Sequence, residues 1–179
     1  MTETRARLDT SLLSRGAQGG RLVLGGFKDP IWQPLPPGPA NPVNTARGYV
    51  SSLLAEVAAT DGDHVDDVVL AVSELVTNAI RHAAGDGLLS VRLAVRPRWT
   101  HLYVTDPDPT VPDLTVPEPA PTDDDDLSLS GRGMLIVREL GLLWFVAEAH
   151  GKTAHAVIMR TGEKLTDAEH DALLRLTIA

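Results

Sequence analysis

The spacing of apolar residues divides the chain into helices and strands before any other property enters. In "NPVNTARGYVSSLLAEVAA", Val43, Ala46, Val50, Leu53, Leu54 and Val57 recur with the helical period. Asn41 stands where an N-cap belongs, and Pro42 suits the first helical position. "TDGD" ends this helix. A second is predicted from about His64 to Ala83, with Asp63 as its cap and Asp66 and Asp67 near the positive end of its dipole. Val65, Val68, Val69, Val72, Leu75, Val76, Ala79 and Ala83 make one broad apolar stripe on it. Glu74 and Asn78 fall off that stripe, within about 40° of each other. They point together at something other than the main core.

"LLSVRLAVR" alternates as a strand does, and "WTHLYVTD" is a second strand after a short turn. Residues 107–130 are rich in proline, contain the run Asp123 to Asp126, and fit neither element. A loop of that length in a compact domain is either functional, here read as a lid over 107–130, or disordered. "GRGMLIVREL" restarts a helix directly after glycines. "LLWFVAEAH" and "TAHAVIMRT" read as a closing hairpin, and "TDAEHDALLRLTIA" as a helix with a capping box, Thr166 to Glu169. Before residue 41, "RLVLGGF" suggests one edge strand and "IWQPLPPGPA" a stiff linker. The expected fold class is α+β, a two-layer α/β sandwich with helices on one face of a mixed, mostly antiparallel sheet. Residues 1–40 are expected to be a partly irregular extension, 41–162 the domain, and 163–179 a C-terminal helix.

Composition narrows the function classes. The chain has 179 residues, and apolar content of 43% supports a core, built with only 4% aromatics from Val, Leu, Ala and Ile. There is no cysteine, so neither a disulfide nor a thiolate-bound metal is available. The net charge of -8, with basic residues scattered, argues against direct nucleic-acid binding. The first twenty residues lack an apolar signal region. No apolar run approaches the roughly 18 to 20 residues of a membrane span. The expected location is cytoplasmic, without membrane contact. The histidines show no metal-ligand spacing and read as structural.

Four features in chain order suit a nucleotide triphosphate. Asn78 offers a hard amide oxygen to Mg²⁺. Glu74, one turn away, is placed to act as a base toward a nucleophile attacking the γ-phosphate. Asp106, at a strand end, can accept a hydrogen bond from an exocyclic amine such as that of adenine. Gly131 and Gly133 open a helix whose N-terminal N–H groups favour phosphate, and Arg132 adds charge. Arg81 and His82 read either as a solvated helix end or as a phosphate or lid contact. Four carboxylates at 123–126 would repel phosphates and hold the lid open.

These residues resemble the histidine-kinase-like ATPase superfamily (GHKL). "ELVTNAIRHA" looks like its N-box, "VTDPDP" like its first glycine box, "SGRGMLIVREL" like its second, and "GKTAHAVI" like its last strand motif. The resemblance covers about residues 43–160 and is nearest to small stand-alone bacterial members: anti-sigma-factor serine kinases and related actinobacterial regulatory ATP-binding proteins. It implies a Bergerat-type ATP-binding fold with ATP and Mg²⁺ as cofactors. Residue by residue it implies Glu74 as the catalytic base and Asn78 as the Mg²⁺ ligand. Asn78, Arg81, His82, Asp106, Gly131, Arg132, Gly133, Met134 and Thr153 would then contact ATP. It further implies a serine/threonine protein kinase that controls transcription by partner switching with a sigma factor or an anti-sigma antagonist, and leaves a homodimer open. One departure stands out. The first box is usually D-x-G-x-G, whereas here Asp106 is followed by Pro107, Asp108 and Pro109. That departure favours the alternative, a degenerate regulator that binds a partner and transfers nothing.

Overall fold

The computed structural model describes residues 41–56, 61–82, 88–114, 133–149 and 151–175, together with the backbone of an N-terminal strand at 18–26. In chain order the elements are β1 (Gln18–Gly26), α1 (Pro42–Glu56), α2 (Gly62–His82), β2 (Leu88–Val95), β3 (Trp99–Asp106), α3 (Gly133–Leu140), β4 (Gly141–Glu148), β5 (Gly151–Met159) and α4 (Asp167–Arg175).

Local chemistry sets most of the boundaries. The Val43 amide donates to Asn41 Oδ1 at 2.9 Å, which caps α1 as its sequence suggests. On α2 the cap is Asp61 rather than Asp63: Asp61 Oδ1 accepts from the His64 amide at 2.7 Å. The helix therefore starts at Gly62, two residues before the expected His64, and Asp63 lies inside its first turn, beside the positive end of the dipole. Thr166 and Glu169 form the expected reciprocal box at the start of α4, with Glu169 Oε2 accepting from the Thr166 amide at 2.9 Å and Thr166 Oγ1 from the Glu169 amide at 3.2 Å.

The strands form one five-stranded sheet in the order β1-β2-β3-β5-β4. Every pair among the described strands is antiparallel. Hairpins β2–β3 and β4–β5 are local, and β3 pairs with β5 to join them. β1 adds an edge to β2.

Because side chains alternate along a strand, one face of the sheet carries Val91, Leu93, Leu102, Val104, Ala154, Ala156 and Ile158, all buried. This face packs against Ala46, Val50 and Leu54 of α1, Val68, Val72, Leu75, Val76 and Ala79 of α2, and Met134 and Val137 of α3. His64 on α2 joins the same layer. Its Nε2 lies 2.8 Å from Thr100 Oγ1 and its Nδ1 3.3 Å from the Met159 carbonyl, so a buried imidazole ties the helix to the sheet.

The opposite face carries a ring cluster. His101 stacks on Tyr103 at 3.9 Å between centroids, Trp144 stacks on His155 at 4.8 Å, and Arg92 lies over the Tyr103 ring. α4 stands on this second side. Its Glu169, Ala172 and Leu173 share an open cavity of about 410 Å³ with Trp99, His101 and Tyr103. Thus α1, α2 and α3 occupy one face, as the two-layer expectation holds, and α4 is the exception. Arg98 secures it, donating to Glu163 at 2.7 Å, to Glu169 at 2.6 Å and to the Lys164 carbonyl. Among the described residues no helix is long and apolar enough to cross a membrane.

Candidate functional site

Glu74 and Asn78 are half-buried on α2, between the buried Ala71, Leu75 and Ala79 and solvent. Glu74 faces the start of α3. A Cβ built on Gly133 would lie 2.2 Å from Glu74 Oε2 and 3.2 Å from its Cδ. Only a glycine admits the carboxylate here. The acid thereby sits beside the N-terminal end of α3, where backbone N–H groups lack intrahelical partners and the dipole is positive. Met134, the next residue, is buried in the core and anchors this end of α3. The Asn78 side chain has no hydrogen-bond partner among the described residues. One turn on, Arg81 and His82 are exposed at the C-terminal end of α2. Gly131 and Arg132 lie outside the described residues.

Asp106 ends β3 on the helix-facing side of the sheet, in register with Lys152 of β5. Asp106 is 3% exposed and Lys152 2%. The ammonium donates to Asp106 Oδ1 at 3.0 Å, to the Asp108 carbonyl at 3.1 Å and to Asp108 Oδ2 at 3.3 Å. Asp106 Oδ1 also accepts from the Asp108 amide at 2.9 Å, and Asp108 Oδ1 accepts from the Thr110 amide at 3.0 Å. Two successive side-chain turns therefore hold the segment after β3. Burial pushes the Asp106 carboxyl above its usual range, against the lowering effect of Lys152 and the Asp108 amide. The Asp108 carboxyl is lowered, first by the Thr110 amide.

Thr153 is not part of this group. Its cross-strand neighbour is Thr105, and alternation turns both to the sheet face opposite Asp106. The Thr153 hydroxyl donates to Glu148 and accepts from Thr105 at 2.8 Å, so both its roles are taken. Lys152 is the last-strand residue that reaches Asp106, and the sequence reading passed over it. A two-residue count back from Ile158, Ala156 and Ala154 ends on Lys152, so the signal was present.

The first residues of the predicted lid, 107–114, are tied to the domain. Pro107 and Asp108 are buried, Leu114 packs against the core, and Arg138 Nη1 donates to the Leu114 carbonyl at 2.8 Å. Residues 115–130, with Asp123 to Asp126, lie outside the described residues. Among the described residues no group of three or more His, Asp or Glu side chains could hold a metal ion.

A family model for the histidine kinase-like ATPase domain matches residues 35–160. The chain belongs to this family. A comparison with curated proteins gave no match. As a histidine kinase-like ATPase domain the chain is an ATP-binding domain. α2, α3 and the end of β3 all lie in the helix-side layer. Asp106 is a buried carboxylate, and Gly133 gives α3 a start that a side chain can approach closely. The first-box turn is the point of difference: the lysine-bound Asp108 and Thr110 stand where D-x-G-x-G has its glycines.

Proposed function

We propose that this protein is an ATP-dependent serine/threonine protein kinase of the anti-sigma-factor type, acting in the cytoplasm on a protein partner. The observation that carries the reading is the placement of Glu74, a carboxylate at the start of α3 and one helical turn from Asn78 on the same helix. In this mechanism Glu74 takes the proton of a partner's serine or threonine hydroxyl. That oxygen bonds to the γ-phosphorus, the bond to the β–γ bridging oxygen breaks, and ADP leaves. Asn78 would hold Mg²⁺, which when bound neutralises phosphate charge. Asp106 would orient the adenine. The partner would be an anti-sigma antagonist as substrate, with a sigma factor as the protein sequestered or released.

Transfer of label from γ-labelled ATP to antagonist proteins encoded beside this chain tests the reading. Label on a partner serine or threonine supports it. Tight ATP binding with no transfer to any such partner overturns it in favour of the second reading, a non-catalytic ATP- and partner-binding regulator. That second reading draws on the Asp106–Lys152 pair, which ties up part of the base-reading carboxylate.

A further inference from the structure

The Lys152 ammonium is completely enclosed, and each of its three protons has an acceptor: Asp106 Oδ1, the Asp108 carbonyl and Asp108 Oδ2. Asp106 Oδ1 takes two donors, Lys152 Nζ at 3.0 Å and the Asp108 amide at 2.9 Å. A carboxylate oxygen has about two lone-pair positions, so Oδ1 is filled. Oδ2 accepts no hydrogen bond from any described residue. Among the described residues, Oδ2 is therefore the one oxygen of Asp106 left to accept from a ligand.

A one-oxygen acceptor distinguishes purines. Adenine presents a single exocyclic amine on its pairing edge, and one oxygen satisfies it. Guanine presents two neighbouring donors, N1–H and the 2-amino group, which match a carboxylate only when both oxygens are open. It also presents the O6 acceptor, and Lys152 has no proton left to give it. Guanine at this position would leave buried polar groups unpaired. We infer that Lys152 sets base selectivity by holding Oδ1 of Asp106, so that the site takes an adenine nucleotide and rejects a guanine nucleotide. Lys152 acts here as a positioning residue. The inference rests on Asp106 being the base-reading residue of the proposed function.

The full-length chain is titrated calorimetrically with ATP and with GTP, in Mg²⁺. Wild type is expected to prefer ATP by roughly 10- to 100-fold, the effect of one unpaired buried group. Lys152→Met opens one of the two accepting positions on Oδ1, and the preference should shrink at least about tenfold, chiefly through tighter GTP binding. A purely structural lysine would weaken both nucleotides alike and leave the ratio unchanged. Removing one charge also unbalances two buried carboxylates, so the double variant Lys152→Met with Asp108→Asn is measured beside it. It keeps the net charge of the cluster at minus one. An unchanged ratio in a folded variant overturns the inference and leaves the nucleotide site standing. Equal wild-type affinity for ATP and GTP also overturns it, and needs no variant. Binding of neither nucleotide to wild type overturns the base-reading assignment of Asp106 and the inference together.

Discussion

The carboxylate of Glu74 occupies the space that a side chain at Gly133 would need: a methyl carbon there would sit 2.2 Å from Oε2. Because residue 133 has no Cβ, the acid of α2 is seated at the positive end of α3. A carboxylate and a glycine nearly sixty positions apart are thus a single structural unit.

Gly133→Ala tests that unit. The atom met is the end of a flexible side chain, so Glu74 can swing away, and alanine in a helix gains up to about 1 kcal/mol over glycine. The melting temperature should therefore change by only a few degrees. Phosphoryl transfer should fall by roughly 10²-fold, the scale of an ångström-sized misplacement of a catalytic group. Thermal melting and a transfer assay on the same preparation separate the two effects.

Gly141→Ala should behave in the opposite way. Its added carbon would meet the Val157 carbonyl at 2.0 Å, a backbone atom that cannot rotate aside. Residue 141 is where α3 runs directly into β4. A stability loss of about 2 to 3 kcal/mol is expected, at the upper end for overpacking. Urea denaturation monitored by Trp144 fluorescence measures it.

Glu74→Ala and Asn78→Ala should divide the proposed chemistry. The first should lower transfer by about 10²- to 10⁴-fold with little change in ATP affinity, as loss of a general base does. The second should weaken ATP binding in Mg²⁺ while leaving binding in EDTA nearly unaltered. Calorimetry with and without the metal reads the difference.

Stability should fall in acid because of the ring cluster behind the sheet. Burial holds the His101 imidazole down to about 3 and that of His155 to about 4, with Arg92 adding to both shifts. Arg96 and the neighbouring imidazole also oppose charge on His101, and Glu148 favours it on His155. His101 Nε2 and His155 Nδ1 are 3.3 Å apart, which admits one proton between them. Both folded values lie below the ordinary 6.5, so the unfolded chain binds protons first. The stability from neutral imidazoles is complete above about pH 6.5 and is lost as pH falls toward the folded values, with a limiting slope of about 1.4 kcal/mol per unit for each histidine. His64, also lowered by burial, contributes in the same direction. Melting curves between pH 8 and pH 5 should show this decline, and His101→Phe should flatten it.

Much of this architecture was readable along the chain. The α2 stripe, both hairpins and the caps at Asn41 and Thr166 depend on residues within a few positions of one another. So does the pairing of Glu74 with Asn78 off the apolar face of α2. The α2 cap was misplaced by two residues because Asp61 and Asp63 carry the same side chain, and only the helix's direction of entry selects between them.

Other features required the chain to be folded. Lys152 is 46 residues from Asp106, and the β3–β5 register brings them together. The same register turns Thr153 to the far face, since a shift of one residue reverses every side chain of a strand. Gly133 was expected to approach phosphate; that it accommodates Glu74 depends on how α2 packs against α3. α4 carries a clear capping signal, yet nothing in its own residues says which sheet face it covers. Periodicity and capping are short-range and can be read in sequence, whereas the partner of a buried charge is chosen by strand register and helix packing across the whole domain.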